Sequence, residues 1–230
     1  MDVPAAKASF LNQDQEPGPY AYITSELEEL IQIFHPFTQI VICQRDADNV
    51  VDRYVQQGLA NNLFGNGFLT VIRSDESLAP HLLPPLPGQE AMIDDVRFIA
   101  ELYSDLTGCD EIALRLEVLD KAMCPRFHVD RTGIRLVCTY HGQGTEWIND
   151  EWVDRDKLEL GSLGFSDRAS GLLDEKTRVE AAAPFDITLL KGSLWQENAQ
   201  GGAIHRSPAV AAGQSRVLLV MDAIWDSNSG

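Results

Sequence analysis

The chain has 230 residues, 44% of them hydrophobic, and a formal net charge of −17 at pH 7. A chain of this size hides about 70% of its unfolded surface on folding, enough for one domain with a real core. The acid excess argues against nucleic acid or an anionic membrane as partner, because phosphate contacts need clustered Lys and Arg; it keeps the surface solvated and leaves a cationic substrate open.

Met1 to Tyr20 is polar and carries Pro4, Pro17, Gly18 and Pro19, the composition of a loose arm. Met1 to Asn12 has no basic segment followed by an apolar run, so no secretory signal is expected. Thr24 or Ser25 N-caps a predicted helix through Leu27, Leu30, Ile31 and Phe34, which Pro36 stops. Gln39 to Cys43 is a β-branched run and reads as a strand. Asp48 or Asn49 caps a second helix from Val50 to about Leu63, with Val51, Tyr54, Val55 and Leu59 on one face. Gly65-Asn66-Gly67 is a turn, and Phe68 to Ile72 is a further strand. Pro80 to Pro87 is too rich in proline for helix or central strand. Glu90 to Leu106 then gives the clearest helix, with a stripe of Met92, Val96, Ile99, Ala100, Tyr103 and Leu106 and a terminal Gly108.

From Glu111 the pattern turns to β. Strands are expected at Ile112 to Leu119, Phe127 to Asp130, Gly133 to Tyr140, Thr145 to Ile148, Phe185 to Leu190, Ala203 to Arg206 and Ser215 to Trp225, with an excursion over Leu158 to Gly171. Short strands joined by Gly-rich turns imply an α+β fold: a barrel or sandwich with the mostly N-terminal helices packed outside. The arm is residues 1–20; residues 21–230 are expected to form a single domain, helical over 21–109 and a β-barrel core over 110–226.

Cys43, Cys109, Cys124 and Cys138 form no CxxC pair, and four cysteines in this length do not make a disulfide scaffold, so free thiols in a reducing, cytoplasmic setting are expected. No apolar stretch approaches the roughly 18 residues of a membrane span.

The chemistry concentrates at Phe127-His128-Val129-Asp130. On a strand, residues two apart point to the same side, so His128 and Asp130 enter the same space. One imidazole and one carboxylate, joined by a second imidazole from a late strand, form a 2-His-1-carboxylate triad, which covers one face of an octahedral metal and leaves three positions open. His205 lies where that second imidazole is needed, and Arg216 follows it after the turn Ala211-Ala212-Gly213-Gln214. Ser207 has no Gly-x-Ser-x-Gly context, so a serine hydrolase is not indicated.

The order of Phe127-His128-Val129-Asp130, Cys138-Thr139-Tyr140, Gly144-Thr145-Glu146-Trp147, Asp186 to Gly192, His205-Arg206-Ser207-Pro208 and Gly213-Gln214-Ser215-Arg216 resembles that of Fe(II)/2-oxoglutarate-dependent oxygenases. It also resembles a small bacterial family of unknown function with cupin-type architecture. The likeness covers about residues 112–226. It implies a double-stranded β-helix of the jelly-roll or cupin kind, with His128, Asp130 and His205 as catalytic metal ligands. It further implies that Arg216 pairs with the distal carboxylate of 2-oxoglutarate and that Tyr140 gives that carboxylate a hydroxyl. The implied cofactors are Fe(II) and 2-oxoglutarate, acting on a small-molecule or protein substrate that the residues do not name. The alternative is a cupin-like protein that holds zinc or manganese without 2-oxoglutarate, in metal homeostasis. Arg126 and Arg131 flank the metal pair and serve either a substrate or a salt bridge; Cys124 and Cys138 lie near an oxidant. Trp195 is placed where it can wall a pocket.

Overall fold

The final strand of the chain, Arg216–Ile224, alternates Val217, Leu219 and Met221 with Leu218 and Val220, so both of its faces are apolar. Such a strand belongs in the middle of a sheet covered on both sides. The computed structural model describes residues 18–73, 75–158, 165–196, 198–199 and 201–225. In chain order its elements are β1 (Ala21–Thr24), β2 (Ile40–Cys43), α1 (Asn49–Ala60), β3 (Gly67–Arg73), α2 (Gln89–Thr107), β4 (Glu111–Leu119), β5 (Ile134–His141), β6 (Glu146–Trp147), β7 (Glu180–Ala181), β8 (Ile187–Lys191), β9 (His205–Arg206) and β10 (Arg216–Ile224). One sheet has the order β1-β2-β8-β5-β10-β4-β3, and a smaller one the order β7-β6-β9. The β1–β2 pair is parallel, and the other pairs of both sheets are antiparallel.

Alternation sorts the large sheet into two faces. Val41, Ile112, Leu114, Leu116, Leu136, Leu189, Val217 and Leu219 pack toward α1 and α2, where Val51, Tyr54, Met92, Val96, Ile99 and Tyr103 are fully buried. The other face carries Ile40, Ile42, Val137, Leu190, Leu218 and Val220, which meet Trp147, Ala182 and Ala203 around the small sheet. The helices hold their places through local chemistry. Asp48 accepts from the amides of Val50 and Val51 at the start of α1, and Gly108, at φ 73°, ends α2 in the left-handed region. Tyr103 donates to the Ile134 carbonyl at 2.6 Å and accepts from the Ala223 amide at 2.9 Å, tying α2 to β5 and β10.

The sequence-based elements reappear with several differences, among them strands β1 and β7 and a one-turn 3-10 helix at Pro80–Leu82 that the sequence does not announce. Leu27–Phe34 is wound as a 3-10 helix rather than an α-helix; it occupies eight residues between a turn in which Thr24 Oγ1 takes the Glu26 amide and the stop at Pro36. The Phe127 to Asp130 strand reduces to one bridge between His128 and His205, and the Ala203 to Arg206 strand to His205–Arg206. The N-terminal half is not only helical, since it supplies β1, β2 and β3 to the large sheet. The two sheets face one another as layers without closing into a barrel among the described residues. Residues 1–17 of the expected arm and 159–164 of the expected excursion lie outside the described residues. Among the described residues no helix is long and apolar enough to cross a membrane.

Candidate metal centre

His128 and His205 face each other because their backbones do. Each amide donates to the other's carbonyl at 3.0 Å, which places the two rings side by side with centroids 4.5 Å apart. The Nδ1 of His128 lies 3.0 Å from the Arg126 carbonyl, and the Nδ1 of His205 lies 3.0 Å from that of Ala203. A carbonyl only accepts, so each Nδ1 carries the hydrogen and each ring turns its Nε2 inward. Both Nε2 atoms point at Asp130, at 3.5 Å from His128 and 3.3 Å from His205. One ligand atom from each of the three side chains lies within 4.8 Å of the others. Two imidazole nitrogens and one carboxylate oxygen, each ring oriented by a backbone carbonyl, suit a divalent transition metal.

Arg135, on β5, donates to Asp130 Oδ2 at 2.7 Å and turns the rest of its fork onto Asp222, at 2.8 Å twice. Burial pushes the Asp130 carboxyl up. In the metal-free site, with a proton on each Nε2 as well, hydrogen bonds from His128 and His205 and the charges of His205 and Arg135 outweigh it and hold the group well below the usual carboxylate range; a bound metal would replace those protons. Asp130 therefore stays an anion, as a ligand must.

The three side chains line a pocket of about 120 Å³ between the sheets, together with Val137, Leu218, Val220 and Arg216. Arg216 is 2% exposed. Its Nε donates to the Gln143 carbonyl at 2.8 Å and one Nη to the hydroxyls of Thr139 and Thr145 at 3.0 Å each. Among the described residues no carboxylate lies within ion-pair distance of it. Burial pulls its pKa down to about 10, against the charges of Glu117 and Glu146, so it remains a cation at neutral pH. A buried guanidinium without a counter-charge is costly, and a bound anion relieves that cost.

Tyr140 is not brought to this site. Its ring lies on the helical face of the sheet, and its hydroxyl donates to Asp95 at 2.6 Å, the carboxylate that Arg45 grips at 2.6 and 3.0 Å. The reason is strand parity: Arg135, Val137 and Thr139 share the pocket face of β5, and Tyr140 takes the other. The hydroxyls beside Arg216 come from Thr139 and Thr145, and alternation running from Arg135 was the signal that pointed to the former. Cys138 follows Tyr140 to the helical face, where burial pushes its thiol up to about 12. Cys124 does line the pocket. Arg206 binds Glu146 at 2.6 Å and Asp167 at 3.0 Å, securing β9 beside His205.

A family model described as "Protein of unknown function (DUF1826)" matches residues 24–222. The chain belongs to that family. No curated protein matches it. Among solved structures, the chain is similar to dioxygenase for auxin oxidation 1 from Arabidopsis thaliana in its 2-oxoglutarate complex. The TM-score is 0.51 at 11% identity, over 90% of this chain and 93% of that one. A rice dioxygenase for auxin oxidation gives 0.49 at 13% identity, over 90% and 83%. At 11% identity the Arabidopsis match concerns the fold, and this DUF1826 chain shares that fold over nearly its whole length.

Proposed function

We propose that the protein is an Fe(II)- and 2-oxoglutarate-dependent dioxygenase. The observation that carries this is one cavity that holds both a converged His128–Asp130–His205 set and a buried Arg216 with no described carboxylate at ion-pair distance. The fold shared with an auxin dioxygenase that binds 2-oxoglutarate supports it.

His128, Asp130 and His205 would hold the metal through their inward atoms. Arg216 would take the distal carboxylate of 2-oxoglutarate with the part of its fork that Gln143, Thr139 and Thr145 leave over. Iron with 2-oxoglutarate supplies the oxidising power that brings O₂ to a C–H bond. The protein's own part is to fix and shield. Val137, Leu218 and Val220 would give the cavity an apolar wall, and Arg135 keeps Asp130 ionised and oriented. The substrate is a small molecule or a protein segment; nucleic acid is disfavoured by the net charge of −17.

The test is anaerobic loading with Fe(II), then titration with 2-oxoglutarate. A visible charge-transfer band is expected, retained iron without the band is expected for Arg216→Gln, and loss of iron for Asp130→Ala. Iron bound by the native protein without any band, and without succinate formed under air, would sink the dioxygenase reading. It would leave a protein that holds a metal, zinc or manganese included, at the same three residues.

A further inference from the structure

A second cavity, of about 710 Å³, opens where β5 begins and β10 ends, within the size range of small-molecule sites. It shares no lining residue with the metal pocket. Its walls include Ile134, Leu194, Trp195 and Trp225. Leu194 is 60% and Trp225 59% exposed, large apolar surfaces left in water on the rim of a concavity. Trp195 is fixed in place by Phe34, ring centroids 5.6 Å apart, and packs against the helical-face core.

Two polar groups of this cavity have no partner among the described residues. Arg131 lines it, is exposed, and makes no hydrogen bond or ion pair with any described residue. Thr132 contributes a hydroxyl oxygen that is buried without a hydrogen-bond partner. Asp222 also lines the cavity, but Arg135 and Arg115 already neutralise it, at 2.8 and 3.4 Å. The charge left over is therefore positive and sits on a planar fork suited to a carboxylate. The surface beside it is indole and leucine, suited to a flat ring.

We propose that this cavity binds a small ring-bearing carboxylic acid, with its ring against Trp195, Trp225 and Leu194 and its carboxylate on Arg131. The site is separate from the metal pocket and does not depend on the dioxygenase reading. It nevertheless adjoins the metal centre, because Asp222, on its wall, holds the Arg135 that holds Asp130.

The probe is 2-naphthoate, with its neutral counterpart 2-naphthamide, measured by calorimetry on the full chain without added metal. One saturable naphthoate site per chain is expected, with naphthamide weaker. Arg131→Gln should weaken naphthoate about tenfold to a hundredfold, the range for a hydrogen bond to a charged group, and leave naphthamide unchanged. Trp225→Ala should weaken both. Arg131 and Trp225 are exposed, so both variants are expected to fold, which circular dichroism checks. The proposal is overturned if naphthoate does not bind saturably, or if Arg131→Gln binds it as the native protein does.

Discussion

Arg135 is the side chain on which the metal site leans without containing it. It takes one oxygen of Asp130 at 2.7 Å and is itself clamped by Asp222. Removing such a partner of a ligand usually costs about tenfold to a hundredfold in metal affinity. Arg135→Met is expected to weaken Fe(II) or Zn(II) binding by that amount in a chelator competition, with the fold retained; unchanged affinity would show that the two histidines alone orient Asp130. Lys191 poses a different question. It is 2% exposed, donates to the His35 carbonyl at 2.9 Å and has no carboxylate partner among the described residues. Burial lowers its pKa from 10.5 to about 8. Between those values the unfolded chain binds more protons than the folded one, so stability rises with pH across that window, and the full penalty is present below it. Lys191→Met should stabilise the protein at pH 7 by about 1–3 kcal/mol and flatten the rise between pH 8 and 10.5, as read from urea midpoints. At this scale the sequence was legible wherever spacing decides geometry. His128 and Asp130, two apart, do reach one cavity. Tyr140 departs from what the family resemblance implies because the strand's own alternation puts Thr139, not Tyr140, on the pocket face.

Elements were legible where a period or a cap marks them and illegible where a partner far along the chain decides. The α2 helix was read almost to its ends from its apolar stripe and Gly108. The strand around His128 was not, because it exists only as a single bridge to His205, 77 positions later. Nor does local sequence say that β3 pairs with β4 across the whole of α2. Two glycines show how differently a left-handed position can be built. Gly67 begins β3 at φ 90°, and a Cβ there would lie 1.8 Å from the Leu116 carbonyl oxygen. Gly108 ends α2 at φ 73° with nothing near its missing side chain. Gly108→Ala pays conformational strain alone, about 1 kcal/mol. Gly67→Ala adds a backbone clash in the sheet and should cost about 3 kcal/mol or more. Equal shifts in the denaturation midpoints of the two variants would show that the β3–β4 contact yields freely.

Across the whole molecule the metal site adds a polar link between the two sheets to the apolar interface that joins them. His205 belongs to the three-stranded sheet, Asp130 is held by Arg135 of the seven-stranded sheet, and His128 bridges to β9 from the connection between β4 and β5. A metal on all three therefore cross-links the two layers in the folded state only, since His205 lies 75 positions beyond Asp130 in the unfolded chain. Binding to the folded state alone stabilises by RT ln(1 + [L]/Kd), about 2.7 kcal/mol at a hundredfold excess over Kd. For a chain of 150–250 residues, each kcal/mol moves the melting temperature by about 2–4 °C, so a shift of about 5–10 °C is expected on saturation with Fe(II) or Zn(II). His205→Ala should lose nearly all of the shift, because it removes the ligand that the small sheet supplies. Arg216→Gln should keep it, since that residue touches the pocket but not the ligand atoms, and should instead lose any further shift produced by 2-oxoglutarate. A metal shift that survives His205→Ala would mean that the ion sits elsewhere and that the two sheets are held by their apolar interface alone.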